Sequence, residues 1–100
     1  MSNAPAIRGI VRMDVPFGQV ITCGDISEKV WKHRRFGQAV GAAIKAHEEK
    51  RGFPWWRVVD RTWCPKQPTQ KDHLLSEQVS FDPRGRTNQQ HRFDLKSIEN

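Results

Sequence analysis

Apolar positions in the first half of the chain fall into helical stripes separated by turn residues. Pro5 suits a first helical position, and Ile7, Ile10 and Val11 recur at the spacing of one buried face, so the pattern predicts a helix from about Pro5 to Met13. Val15-Pro16-Phe17-Gly18 reads as a turn and Gln19-Val20-Ile21 as a short extended link. Thr22 has the form of a helix N-cap with Asp25 three residues on, each side chain satisfying an orphan backbone donor. Cys23, Ile26 and Val30 share one face of the helix that follows, which makes Cys23 a packed thiol rather than a reactive one. From Arg35 to His47 the stripe is Phe36, Ala39, Val40, Ala43, Ile44 and His47. Trp31-Lys32-His33-Arg34 joins these two helices as the turn of a helix-turn-helix, a pattern that plain helix pairs also show.

The opposite face of the later helix carries Gln38, Gly41, Ala42 and Lys45, flanked by Gly37. Each helical glycine costs about 1 kcal/mol relative to alanine, so two of them ask for a reason, and a backbone pressed closely against a partner is one. Small residues with one amide and one lysine, preceded by Arg34 and Arg35, suit insertion into a DNA groove.

Beyond this helix lies Phe53-Pro54-Trp55-Trp56-Arg57-Val58-Val59. Proline fixes its own backbone and holds Phe53 extended, and Arg57-Val58-Val59 favours a short strand, so one indole is expected to point into the core and its neighbour away from it. Two readings stand: core and rim packing, or the aromatic wall of a pocket for a flat ligand. Asp60 to Pro68 is a loop containing Trp63, a third aromatic near that pocket. Thr69 with Asp72 repeats the capping-box pattern, and Leu74, Leu75 and Val79 mark a closing helix of about ten residues. From Pro83 the chain turns polar and Arg-rich, with Phe93, Leu95 and Ile98 able to dock part of it. The expected organisation is a mostly α, winged helix-turn-helix-like domain over 1–82 with a short β element, and a partly mobile basic tail over 83–100.

Charge sharpens this picture. With 100 residues and 36% apolar positions the chain supports one domain with a modest core. Its 17 basic residues against 11 acidic ones leave a net charge of +6, which favours a polyanionic partner over a membrane surface or an acidic protein. Lys29, Lys32, Arg34, Arg35, Lys45, Lys50 and Arg51 concentrate near the proposed groove-binding helix, opposed by Glu48 and Glu49. Arg84, Arg86, Arg92 and Lys96 form a looser second group. No apolar run reaches membrane length, no signal-peptide pattern is present, and two free cysteines suit a reducing compartment, so a cytoplasmic, nucleoid-associated protein is expected. No pair among Cys23, His33, His47, Cys64, His73 and His91 has zinc-ligand spacing, and neither a metal nor a cofactor is expected.

Four runs taken together have a further meaning. Val15-Pro16-Phe17-Gly18-Gln19-Val20-Ile21-Thr22-Cys23-Gly24-Asp25-Ile26, Gln38-Ala39-Val40-Gly41, Pro54-Trp55-Trp56-Arg57-Val58 and Leu74-Leu75-Ser76-Glu77 resemble, in order and spacing, the C-terminal DNA-binding domain of O6-alkylguanine-DNA alkyltransferases. The resemblance is closest to the alkyltransferase-like proteins, their small non-enzymatic relatives. In the active enzymes the third run reads Pro-Cys-His-Arg-Val, and its cysteine takes the alkyl group from a flipped-out guanine. Here Trp55 stands at that cysteine and Trp56 at the activating histidine. An indole offers no nucleophilic lone pair at neutral pH, so alkyl transfer at this position is excluded.

The resemblance implies a protein that grips double-stranded DNA through Arg34, Arg35, Gln38, Gly41, Ala42 and Lys45. It further implies a base pocket formed by Cys23, Trp55, Trp56, Arg57 and Trp63. Several family features change: the tyrosine of its Thr-Tyr-Gly motif falls at Cys23, its intercalating arginine at Gln38 and its hinge asparagine at His47. The pocket-closing loop shortens to Arg61-Thr62-Trp63-Cys64-Pro65, while Glu77 keeps its place. The expected protein is a monomer that marks O6-alkylguanine-like bases for downstream repair proteins. The alternative is a winged-helix DNA-binding or protein-docking adaptor that has lost base flipping and docks through exposed tryptophans.

Overall fold

The structure, a computed structural model, describes residues 3–46 and 52–95. Helix α1 covers Ala4–Gly9 and continues into a widened turn, Ile10–Asp14, closed by the five-residue hydrogen bond from Val15 N–H to the Ile10 carbonyl. The element thus runs one residue past the predicted end, and its last turn is not α-helical. Ile7, Ile10, Val11 and Val15 are all buried by this geometry. Pro16 ends it, because the residue before a proline is driven to extended backbone, as Val15 is at φ −85°, ψ 110°.

Gly18 turns the chain at φ +81°, and the extended link becomes strand β1, Ile21–Thr22. Thr22 caps helix α2, Cys23–Trp31, by accepting from Asp25 N–H at 3.1 Å. Only this half of the expected reciprocal cap forms among the contacts of Asp25: its carboxylate is instead bound by Arg34. Lys32 ends α2 in the left-handed region at φ 63°, and a short 3-10 turn, Arg34–Phe36, leads into helix α3, Gly37–Lys45. A 3-10 turn at Trp55–Arg57 precedes strand β2, Val58–Val59, which pairs parallel to β1 in the register Ile21 to Val58 and Thr22 to Val59. Helix α4, Pro68–Ser76, closes the expected set. Thr69 is not its cap: Pro68 occupies the first turn and Gln67 is the N-cap residue, so Thr69 already lies inside the helix.

The sheet separates two apolar clusters, because neighbouring strand residues face opposite sides. Ile21 and Val58 join Ile7, Ile10, Val11, Val15, Ile26, Val40, Ile44 and Phe53 between α1, α2 and α3. Val20 and Val59 join Leu74 and Val79 under α4. Leu74 is fully buried whereas Leu75, expected beside it, is half exposed, since adjacent helical positions point about 100° apart.

The expected boundary at residue 82 does not end the packed unit. Val20 N–H donates to the His91 carbonyl at 2.7 Å and Phe93 N–H to the Val20 carbonyl at 2.8 Å, stitching the late chain alongside the start of β1. Thr87 and Leu95 are buried. The physical reason lies in Phe93 and Leu95, which pack on the first cluster and anchor an otherwise polar segment. Ile98, Lys96 and the remainder of 96–100 lie outside the described residues, as do His47, Lys50 and Arg51.

Candidate nucleic-acid interface and pocket

The turn between α2 and α3 is held by side chains whose role the periodicity did not reveal. Ser27, fully buried, donates to the His33 carbonyl and accepts from Phe36 N–H at 3.0 Å. His33 Nδ1 accepts from Arg35 N–H at 3.2 Å. These bonds consume the polar backbone groups of the turn and set the angle at which α3 leaves α2. Val40 and Ile44 face the core, and Ala43 is half-buried. Gln38, Ala42 and Lys45 lie exposed on the other side, as expected, and so does Ala39, which the predicted stripe had placed inward. Alanine at 39 carries little apolar surface to bury, so its exposure costs little.

Arg34 lies across Gly24, where a Cβ would stand 2.9 Å from its Nη2. Its Nη1 binds Asp25 at 2.6 Å and Glu28 at 3.1 Å, and the Asp25 hydrogen bond is the main reason its pKa rises above the ordinary value. Arg34 therefore ties the turn to α2 with a charge already matched by acids. Arg35 instead stacks over the Phe36 ring at 5.1 Å and remains exposed. Arg35, Gln38, Ala42 and Lys45 thus belong to the exposed part of the turn and α3.

Behind that surface a cavity of about 310 Å³ is lined by Gly41, Ile44 and Lys45 of α3, by Trp55 and Val58, and by Lys66, Gln67 and Gln70. This is within the range of small-ligand sites. Gln70 builds one wall. Buried at 1% exposure, it donates to the Trp56 carbonyl at 3.1 Å and to the Val58 carbonyl, and accepts from Lys66 N–H. One amide thereby locks the tryptophan turn, β2 and the loop before α4 together. A polar residue four positions before Leu74, on the same helix face, was the sequence signal for it.

The five expected pocket residues separate. Trp55 lines the cavity. Cys23 sits next to it through Lys66, whose Nζ is 3.3 Å from the Cys23 sulfur. Trp56, Arg57 and Trp63 are not part of its lining. The expectation of one inward and one outward indole assumed the 180° alternation of a strand. In the 3-10 turn successive side chains rotate by about 120° instead, so both rings are half-buried. Trp55 packs on the first cluster and Trp56 on the second, edge-on to each other at 6.0 Å. Trp63 adopts φ 66°, packs on the second cluster and is covered by the Arg92 guanidinium at 4.9 Å.

Trp56 and Arg57 converge on Glu77. Its carboxylate, with the side chain 5% exposed, accepts from Gly18 N–H at 2.8 Å, Trp56 Nε1 at 2.6 Å and Arg57 Nε and Nη2 at 3.0–3.2 Å. Arg57 also donates to the Val15 carbonyl at 3.1 Å. Burial is the largest single influence on the Glu77 pKa and pushes it up, but the hydrogen bonds from Arg57, Gly18 and Trp56 together outweigh it and hold the group below its ordinary value. His73 stacks on the free face of Trp56 at 4.3 Å and 14°.

An α2–turn–α3 unit with an exposed small-residue helix, backed by a cavity on a short parallel sheet, defines a helix-turn-helix domain with a pocket behind its exposed helix. The family described as 6-O-methylguanine DNA methyltransferase, DNA binding domain, matches residues 9–79, and the chain belongs to it. No curated protein matches the chain. Among solved structures it is similar to S. pombe Atl1 in complex with damaged DNA containing O6-carboxymethylguanine, with TM-score 0.75 and 22% identity over 91% of this chain and 94% of that one. It is also similar to S. pombe ATL in complex with DNA, with TM-score 0.70 and the same identity and coverage. The fold is shared with these alkyltransferase-like proteins.

Proposed function

We propose that the protein is a non-catalytic DNA-binding protein that holds an O6-alkylated guanine in the cavity beside Trp55 and marks the site for repair proteins. The observation that carries this reading is the indole itself: Trp55 forms a cavity wall at the position where the resemblance puts the alkyl-acceptor cysteine. An indole cannot accept an alkyl group as a thiolate does, yet it offers a flat apolar surface for a base. The exposed face of α3, with Gln38, Ala42 and Lys45, adjoins the same cavity through Gly41, Ile44 and Lys45. A helix in the groove and a base rotated toward Trp55 are therefore compatible. Arg35 and Lys45 serve as phosphate contacts, whereas Arg34 holds the turn. The complexes of the S. pombe relatives with DNA support the same partner. The protein acts on the nucleoid as a monomer.

The docking alternative has less support, because its anchors are not free: Trp31, Trp55, Trp56 and Trp63 are all half-buried. The deciding experiment is a fluorescence titration of two duplexes that differ only in O6-methylation of one guanine. The modified duplex is expected to bind more tightly and quench tryptophan emission, with Trp55→Ala removing the difference. Equal affinity for both duplexes would reject the reading, and so would a protein mass increased by the alkyl group.

A further inference from the structure

Two five-residue turns, Asp60-Arg61-Thr62-Trp63-Cys64 and Asp82-Pro83-Arg84-Gly85-Arg86, are built to one plan. In the first, Asp60 N–H donates to the Cys64 carbonyl at 3.2 Å and Trp63 N–H to the Asp60 carbonyl at 2.9 Å; in the second, Asp82 N–H donates to the Arg86 carbonyl at 2.8 Å and Gly85 N–H to the Asp82 carbonyl at 2.9 Å. The fourth residue of each is left-handed, Trp63 at φ 66° and Gly85 at φ 84°. Each aspartate Oδ1 accepts from the N–H groups two and four residues on, at 2.8–3.1 Å. The two turns are joined side to side, because Thr87 N–H and its hydroxyl both donate to the Trp63 carbonyl, at 2.8 and 3.1 Å. The aspartates are thus consumed in shaping the turns, and Asp82 also pairs with Arg86 at 2.8 Å. Arg61 and Arg84 project from the turns fully exposed, and among the described residues neither pairs with a carboxylate. Lys71 over the Phe81 ring and Arg92 over the Trp63 ring add two cations beside them.

We propose that these twin turns are a second phosphate-binding surface, separate from α3, on which Arg61 and Arg84 hold the backbone of the duplex to one side of the cavity. This rests on the reading that the partner is duplex DNA, and not on which base the cavity prefers. The second turn lies beyond the span that matches the family, so the surface is not part of the matched domain. Its place in the fold suits one continuous duplex: from Trp63 to Lys66 in the cavity lining is three residues, at most about 11 Å of chain, or about three base-pair steps. Hydrogen-bonded turns also present their arginines with little backbone freedom left to lose on binding. An arginine held over a phosphate gives a bidentate, charge-assisted contact that carries no sequence information, which suits a protein that must grip DNA wherever the modified base occurs.

The test uses the full chain and two duplexes of equal length carrying one O6-methylguanine. In the second duplex the phosphates about two to five base-pair steps from that guanine, on both sides and both strands, are replaced by uncharged methylphosphonates. The wild-type protein is expected to bind the neutralised duplex roughly tenfold more weakly at low salt, with a log–log salt slope shallower by about 2, the scale of two phosphate contacts. The double variant Arg61→Gln, Arg84→Gln binds both duplexes alike, and Arg61→Lys, Arg84→Lys keeps most of the difference because an ammonium also neutralises a phosphate. Both side chains are exposed and unpaired, so neither pair of substitutions disturbs the turns. Equal wild-type affinity for the two duplexes overturns this inference alone. No binding of either duplex at low salt overturns the underlying reading and this inference with it. A glutamine variant that weakens both duplexes by the same factor shows an effect of net charge without contact and likewise overturns the proposal.

Discussion

Trp55 and Trp56 are neighbours in sequence and opposites in chemistry. Trp56 ends in a closed network: its N–H, the Arg57 guanidinium and the Gly18 N–H fill a buried carboxylate, and His73 covers its ring. Trp55 borders an open cavity whose lysines have no carboxylate partner among the described residues. The first region has satisfied its polar groups internally and is a device for stability. The second has polar groups and apolar surface left over, which is what a binding site requires. One 3-10 turn supplies both, because it sends consecutive side chains to different clusters.

The most severe way to break this contrast is Glu77→Ala. Removing the carboxylate strands the Arg57 charge at 13% exposure and leaves Trp56 and Gly18 without an acceptor, at a cost of about 3–5 kcal/mol. Urea unfolding is expected to show the loss as a lower midpoint, and an unchanged midpoint would refute the network as a stabilising element. Trp56→Phe keeps the ring and deletes one donor to the carboxylate, for about 1–3 kcal/mol. If the two regions are separate, this variant loses stability while keeping the proposed preference for O6-methylguanine.

Acid titration tests the same network by charge. Glu77 has a folded pKa below its ordinary value of 4.5, so the unfolded chain binds its proton first. The stabilisation is complete above about pH 4.5 and drains away as the pH falls through the lower folded value. Glu77→Gln is expected to flatten that acid limb. On the cavity side, Lys45→Glu is expected to weaken binding to every duplex by removing a proposed phosphate contact, read as a shallower salt dependence. The smallest effect belongs to Arg92→Ala: it uncovers the Trp63 ring and gives up the two guanidinium bonds to the Thr87 carbonyl, for about 1 kcal/mol of thermal stability.

The late segment 83–95 shows how composition misleads. Its polar, Arg-rich sequence reads as a tail, yet two backbone bonds to Val20 and the burial of Thr87 and Leu95 make it part of the domain. Thr87 N–H also donates to the Trp63 carbonyl at 2.8 Å, so this segment braces the loop that leads to Lys66.

Much was determined by local sequence. The Thr22 cap, the break at Pro16, the α2–turn–α3 order and the burial of Val40 and Ile44 follow from short-range spacing and capping chemistry, which act within a few residues. The expectation that Trp55 stands where the resemblance puts a nucleophile needed only a residue identity in one short run. Tertiary structure decided which indole faces the cavity, the convergence of Arg57, Trp56 and Gly18 on Glu77, and the placing of Lys66 beside Cys23 through Gln70. Those contacts join residues up to 59 positions apart, and no periodicity along the chain encodes a meeting between side chains that distant.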